Sequence, residues 1–153
     1  RVVGGEGGSA GSGVYIPALN VLASYPLGPY ATVYQSEMFA INKCIAHLLE
    51  HGLTGQRICI FTDSQASIKG LKRPQTSSGL ARETKYLART LAQQNITVTL
   101  QWIPGHQELL GNPLSDTLAR RGSSTIFQGP LPSIGIPRSL CQEKIKKWAI
   151  ENL

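Results

Sequence analysis

The alternation of apolar and polar residues predicts a central β-strand over residues 57–64, RICIFTDS. Both alternating sets of its side chains are largely apolar, which is typical of a strand covered on both faces in the middle of an α/β sheet. Asp63 stands at the carboxyl end of this strand, where open α/β sheets place their ligands. Asp63 is therefore a candidate catalytic or metal-binding residue; the alternative is that it only N-caps the next helix.

The clearest helix is predicted between Thr32 and Gly52, because Thr32 and Gln35 form a capping box and Gly52 is a typical C-terminal stop. Glu37 falls inside the apolar stripe of this helix. A buried carboxylate is costly unless a cation compensates it, so we expect a metal ion or a buried arginine nearby. The alternative is that Glu37 turns outward in an early turn and interacts with the helix dipole.

The other segments predict an α/β domain that mixes a hairpin with βαβ units. Residues 1–12 are glycine-rich and predict a flexible loop, which suggests that the chain starts just after a missing element. Further elements are predicted by strand patterns, caps and stop signals. They are strands at 13–18, 20–27 and 96–102, and helices at 64–71 and from Ser77 or Ser78 to about Asn95.

A second candidate region follows the last predicted strand. Asn112 and Pro113 predict the start of a helix that stops at Gly122, with Asp116 one turn in. His106 lies in the preceding loop, after a Pro-Gly turn. Taken alone, Asp116 could simply complement the helix dipole and His106 could be an exposed loop histidine.

The chain is predicted to divide into a domain over residues 1–122, a linker over 123–138 and a basic C-terminal helix over 139–153. The linker is rich in Ser, Gly and Pro and carries isolated apolar anchors. Neither a membrane span nor a signal peptide is visible. Three cysteines without a CxxC pair argue against a disulfide framework or a zinc site, so we expect a reducing, intracellular compartment, cytoplasm or nucleus.

The formal net charge of +6 is unevenly distributed. Residues 69–153 hold twelve basic and five acidic side chains, whereas residues 1–68 hold three and four. Such an excess favours a polyanionic partner, although solvated helix faces explain many basic residues. Five side chains are candidates for contacts with backbone phosphates: Lys69, Lys72, Arg73, Lys85 and Arg89.

Three acids in the order Glu37, Asp63 and Asp116, with His106 before the last, form a pattern stronger than any one of them. Phosphodiester hydrolysis with two divalent ions needs clustered carboxylates, so that one ion activates water and the other stabilises the leaving oxyanion. Oxygen ligands suit Mg²⁺, which also engages substrate phosphate.

The chain resembles the type 1 ribonucleases H in three motifs. They are YQSEMFAI around Glu37, FTDSQ around Asp63, and WIPGHQELLGNPLSDTLA, which contains His106 and Asp116. The last is the most specific, because the PGH turn, the Asn-Pro helix start and the D-x-L-A run occur together. Over residues 11–122 the chain looks most like the RNase H domain of non-LTR retrotransposon reverse transcriptase polyproteins.

This resemblance implies an RNase H-like α/β fold, with a mixed five-stranded sheet flanked by helices, that cleaves the RNA strand of RNA–DNA hybrids. It implies that Glu37, Asp63 and Asp116 are catalytic metal ligands for Mg²⁺, with Mn²⁺ as an alternative. His106 matches the catalytic loop histidine, and Gln65 matches a residue that contacts the hybrid's minor groove. The implied partners are an RNA–DNA hybrid and the remainder of a reverse transcriptase polyprotein.

The chain departs from the family pattern at its start. The family's first strand ends in Asp-Gly-Ser and carries a fourth acid, and counting back from Gly13 runs past residue 1. Glu6 is the only acid upstream, and its glycine-rich setting makes it a poor substitute. The alternative function is thus a catalytically inactive hybrid-binding or domain-docking module. An integrase or transposase of the same fold is opposed by the order of the acids and by the PGH turn.

Overall fold

The computed structural model describes residues 8–105, 112–131 and 133–152. Its elements confirm the predicted α/β class. Among these residues, no helix has the length and apolar character that a membrane crossing requires. The elements are β1 (Ala10–Ile16), a 3-10 turn (Pro17–Leu19), β2 (Val21–Gly28), α1 (Val33–Glu50), β3 (Arg57–Thr62), α2 (Gln65–Lys72), α3 (Gly79–Gln93), β4 (Thr97–Trp102), α4 (Asn112–Ser124) and α5 (Arg138–Asn152).

Over the described residues the strands form two separate pairs, and in this detail the structure differs from the five-stranded sheet that the family resemblance implies. β1 pairs with β2 in the antiparallel sense, and β3 pairs with β4 in the parallel sense. Within the described ranges, no further strand joins β1 to β3. One strand of each pair, β1 and β3, lines the same cavity.

β3 is covered on one face only, so the prediction of two buried faces is wrong. Ile60 belongs to a core cluster with residues of α1 and α3 and with Ile96, which precedes β4. Cys59 and Phe61 on the opposite face are exposed. The reason is that α4, the helix that could cover this second face, packs against β1 and β2 instead.

β1 begins at Ala10, inside the segment predicted to be a flexible loop. The Ser12 hydroxyl donates a 2.6 Å hydrogen bond to the Ser36 carbonyl of α1. On the other face, a Cβ atom at Gly13 would lie only 2.6 Å from the Ala119 nitrogen of α4. The loop prediction is therefore wrong for residues 10–12, because pairing with β2 and contacts with α1 and α4 hold them in a strand.

The helix starts largely follow the local signals in the sequence. The capping box of α1 is present as predicted: the Thr32 hydroxyl accepts from the Gln35 N–H, and the Gln35 side chain accepts from the Thr32 N–H. For α2 the N-cap is Ser64, whose hydroxyl accepts from the Ser67 N–H. Capping is thus not the role of Asp63. α4 passes through Gly122, its predicted stop, because this glycine packs against the Tyr25 carbonyl.

The segment between α4 and α5 lies against the domain. The Ser133 hydroxyl donates to the Leu27 carbonyl of β2, and the Gln35 side-chain amide donates to the Gly135 carbonyl. α5 starts one residue before the predicted Ser139 and has no buried residue among those described. Its Trp148 is 65% exposed.

Candidate nuclease site

The parallel pairing of β3 with β4 brings their carboxyl ends to one edge of the sheet. Thr62 is in register with Trp102, and the Ile103 N–H donates a 3.0 Å hydrogen bond to the Thr62 carbonyl. Asp63 therefore leaves the sheet beside residues 103–105, the segment that leads to His106. The Trp102 indole N–H donates to the Asp63 carbonyl at 3.2 Å, which fixes the backbone where the carboxylate projects.

Gly105 provides space at the Asp63 carboxylate. A Cβ atom at position 105 would stand 3.0 Å from Asp63 Oδ2, closer than most side-chain contacts. The Asp63 side chain is half-buried, so it remains accessible to a ligand at the mouth of the site.

Glu37 projects from the first turns of α1 and is only 8% exposed. The alternative that it turns outward to solvent is therefore wrong. A carboxylate buried to this extent keeps its charge only when cations or hydrogen-bond donors compensate the lost hydration.

Glu37 and Asp63 line the same cavity, of about 600 Å³, between β1 and β3. Its walls are mainly apolar and include Val14 of β1, Ile41 of α1 and Ile60 of β3. The structure thus brings two of the three predicted acids to one cavity. The third, Asp116, is half-buried on α4 and directly follows Ser115, which also lines the cavity.

Cys44 also lines this cavity, and we expect its thiol to be unreactive. Burial raises the pKa of its thiol from the ordinary 9.0 to about 12. The thiol is therefore neutral at physiological pH and adds no charge beside the two acids.

The two acids at the cavity suit a hydrated divalent ion, although the predicted cluster of three ligands is not seen. Over the described residues, no group of three or more His, Cys, Asp or Glu side chains is arranged to hold a metal. Mg²⁺ is usually held by one or two carboxylates together with water and substrate phosphate, so Glu37 and Asp63 fit that ion. His106 and Glu6 lie outside the described residues.

The predicted nucleic-acid contacts lie on the exposed surface of α2, the helix that begins at this edge. Gln65, Lys69 and Lys72 follow one another at helical spacing and share one face, and all three are exposed. Arg73 is the C-cap residue and is also exposed. A second cavity, of about 390 Å³, has an apolar floor and a basic rim formed by Lys72, Arg73, Lys85 and Arg89.

Trp102 is a candidate site residue that the sequence reasoning did not select. Its indole is 41% exposed and is held next to Asp63 by the hydrogen bond described above. An exposed aromatic ring beside a nucleic-acid site can stack on a base or a sugar. The sequence signal that could have identified Trp102 is its position at the carboxyl end of a predicted strand that pairs in parallel with β3.

Comparison with known proteins gives two results. Residues 3–124 match the family model of RNase H. The fold is similar to two crystal structures of the prototype foamy virus protease–reverse transcriptase, the native protein (20% identity, TM-score 0.53) and the CSH mutant (17% identity, TM-score 0.52). Each match covers 78% of this chain and only 20% of the viral chain. A search of the curated proteins found no match.

Proposed function

Because the chain belongs to the RNase H family, we propose that it is a metal-dependent endonuclease domain that hydrolyses the RNA strand of RNA–DNA hybrids. The observation that carries this proposal is the convergence of Glu37 and Asp63 on one cavity at the carboxyl end of β3. In the proposed role, Glu37 and Asp63 hold the metal, with Asp116 as a further ligand and His106 as the proton-transfer residue.

The RNase H family generally uses divalent metal ions. We propose Mg²⁺, with Mn²⁺ as an alternative; such an ion activates water and stabilises the leaving oxygen of a phosphodiester. The protein's own residues contribute by positioning the carboxylates. Trp102 fixes the backbone at Asp63, and Gly105 leaves space beside the Asp63 carboxylate. α1 places Glu37 at the same cavity.

The proposed hybrid lies along the exposed face of α2. Lys69 and Lys72 would neutralise backbone phosphates, while Gln65, two residues after Asp63, would reach the minor groove, where 2′-hydroxyls distinguish RNA from DNA. Support comes from the shared face of these three side chains and from the start of α2 two residues after Asp63.

We further propose that the domain functions within a reverse transcriptase polyprotein of the retrotransposon type, inside the cell. The viral chains with a similar fold are about five times longer than the matched region, so there the domain is one part of a larger polypeptide. The sequence from Ile103 to Asp116 and the Pro- and Gly-rich segment that follows α4 support the retrotransposon assignment.

A second candidate function is a catalytically inactive module that binds hybrids or docks other domains. It is favoured by the absence, among residues 8–105, 112–131 and 133–152, of a group of three metal-ligating side chains. In that case the basic face of α2 would still bind the hybrid, but the carboxylates would not support hydrolysis.

Substitution of Asp63 separates these two functions. For the nuclease, Asp63→Asn should lower the rate of hybrid cleavage with Mg²⁺ by about 100-fold or more, because it removes a metal ligand while keeping the side-chain shape. Hybrid affinity should change little. The measurement is cleavage of a labelled hybrid, together with binding of the same hybrid in Ca²⁺.

The matched control is Glu83→Gln, which removes one negative charge from an exposed position on α3. It should leave cleavage unchanged. If the unsubstituted chain binds the hybrid but cleaves it no faster than the Asp63→Asn variant does, the inactive-module function is correct and the nuclease function is wrong.

A further inference from the structure

The second cavity, of about 390 Å³, lies between α2, α3 and β4 and has an apolar floor. Ile45 of α1 is buried in the core cluster, and the other floor residues are partly buried and pack against that cluster. These other residues are Leu71, Ala88, Val98 and Leu100. A concave site of this size and lining suits one or two large apolar groups of a ligand.

Four basic side chains from two helices border the same cavity. Lys72 and Arg73 are at the end of α2, and Lys85 and Arg89 are one turn apart on α3. The Lys85 ammonium donates a hydrogen bond to the Arg73 carbonyl, so the basic residues of the two helices meet at the rim. Among the described residues that line the cavity, none is acidic. The rim therefore favours a ligand that carries several negative charges.

The floor offers little that could recognise a nucleotide base. Among the described lining residues, Thr84 carries the only uncharged polar side chain. Its hydroxyl donates to the Leu80 carbonyl at 2.8 Å and accepts from the Asn42 amide at 3.2 Å. The described floor residues also include no aromatic ring on which a base could stack. The floor thus favours an aliphatic or phenyl group over a nucleobase.

The number of basic residues favours a peptide over a lipid. An acyl chain brings a single anionic head group, whereas the rim holds four cations on two helices. A short acidic segment of a polypeptide brings several carboxylates together with its apolar side chains. Acids on both sides of an apolar residue would reach the cations of α2 and of α3 at the same time.

The acids of this chain do not form such a segment. The closest pairs, Glu108 with Asp116 and Glu143 with Glu151, are eight residues apart. No part of this sequence, and no second copy of it, therefore carries several acids around one apolar residue. The charge that complements the rim must come from a different polypeptide segment.

We propose that the second cavity binds an acidic segment of a partner protein, with one or two apolar side chains on the floor and carboxylates at the basic rim. This interaction goes beyond the proposed nuclease function and does not rest on it. It uses Arg73, Lys85 and Arg89, which the proposed hybrid contacts leave out, and it requires no hydrolysis.

The test is binding of three synthetic peptides to the full chain, measured by calorimetry. DEDFLDED has two apolar residues between acids, DEDSSDED replaces these two with serine, and NQNFLNQN replaces the acids with amides. We expect the first to bind at least about tenfold more tightly than either of the others, because each of them lacks one of the two matched features. Its affinity should fall as the salt concentration rises.

Nuclear magnetic resonance tests where the peptide binds. DEDFLDED should shift the methyl signals of Leu71, Val98 and Leu100, which lie on the floor of the second cavity. The methyl signals of Val14, in the cavity between β1 and β3, and of Leu118, on α4, should not change.

Two double variants provide the matched control. Lys85→Gln with Arg89→Gln removes two charges from the rim and should weaken the binding of DEDFLDED about tenfold or more. Lys144→Gln with Lys146→Gln removes two charges from the exposed surface of α5 and should change the affinity by less than about twofold. If the first double variant does not fold, the methyl shifts in the unsubstituted chain decide the question.

Equal binding of DEDFLDED and DEDSSDED would indicate a charge contact without the apolar floor and would overturn the proposal. So would equal losses in the two double variants, or methyl shifts confined to other elements. Oligouridine or phosphatidylserine vesicles that shift the same methyl signals and bind more tightly than DEDFLDED would identify a nucleic acid or a lipid as the occupant, which would also overturn it. Cleavage assays do not enter these outcomes, so failure here leaves the nuclease proposal standing.

Discussion

Gly13 lies where β1 approaches α4 so closely that no side chain fits between them. We expect Gly13→Ala to lower the free energy of unfolding by about 1–3 kcal/mol or more, because the added methyl would meet the backbone of α4, including the Ala119 nitrogen at 2.6 Å. Urea unfolding measures the change.

Gly79→Ala is the control for this substitution. Gly79 is the first residue of α3, and the nearest atom to its added Cβ is the end of the Arg82 side chain, at 3.9 Å. We expect no loss of stability there, and a gain of up to about 1 kcal/mol from the higher helix propensity of alanine. Equal losses at both positions would contradict the close contact of β1 with α4.

The buried Cys44 thiol predicts that stability falls at alkaline pH. Its folded-state pKa of about 12 exceeds the ordinary 9.0, so above pH 9 the unfolded chain releases a proton that the folded chain retains. Stability from this group is thus complete below pH 9 and is lost as the pH rises toward 12. The loss should reach roughly 2–3 kcal/mol at pH 11.

Urea unfolding between pH 7 and pH 11 tests this dependence. Cys44→Ala should flatten the decline, whereas Cys59→Ala, at an exposed position, should not. Part of the decline should persist in Cys44→Ala, because burial and the nearby Glu50 charge also raise the pKa of Tyr25. Identical pH slopes in both variants would show that Cys44 is not the source.

At the scale of elements, the proposed hybrid contacts lie on α2, and substitutions on this helix test them without changing the carboxylates. Replacing Lys69 and Lys72 with alanine should weaken hybrid binding and reduce the salt dependence, with a change in log–log slope of about 0.9 for each phosphate that the protein no longer neutralises. Replacing Lys144 and Lys146 of α5 changes the net charge equally and should have a smaller effect. The measurement is the hybrid affinity between 50 and 200 mM salt. Equal changes in the two double variants would indicate a purely non-specific charge effect.

Local signals predicted the starts of the helices well, because a cap depends on residues within one turn. Thr32 with Gln35 and the Asn112-Pro113 pair are examples. The position of Asp63 at a cavity was also predictable in outline, since ligands gather at the carboxyl ends of parallel strands. Three features were not predictable: the strand at residues 10–12, the exposed face of β3 and the passage of α4 through Gly122. They depend on contacts between segments far apart in the sequence, or on a neighbouring strand that the described residues do not provide.

At the scale of the whole molecule, the residues after α4 should contribute to stability in two unequal parts. A chain ending at residue 137 lacks α5, which has no buried residue among those described, so its unfolding free energy should stay within about 0.5 kcal/mol of the full chain. A chain ending at residue 124 also loses the hydrogen bonds to Leu27 and from Gln35 and should unfold more easily. Calorimetric melting of both chains tests this, and equal melting temperatures would contradict a structural role for residues 125–137.

The contact of α4 with β1 also limits the motions available to the molecule. Packed helices usually shift past a neighbour by small shear movements, in which side chains rearrange within their rotamers. Gly11, Gly13 and Gly122 leave no side chains to rearrange, because backbone meets backbone at each of them. α4 and the β1–β2 hairpin should therefore move together as one rigid body. A hinge movement that widens the cavity between β1 and β3 would displace Asp63, on the other strand pair, relative to Asp116, which lies on α4 and moves with β1.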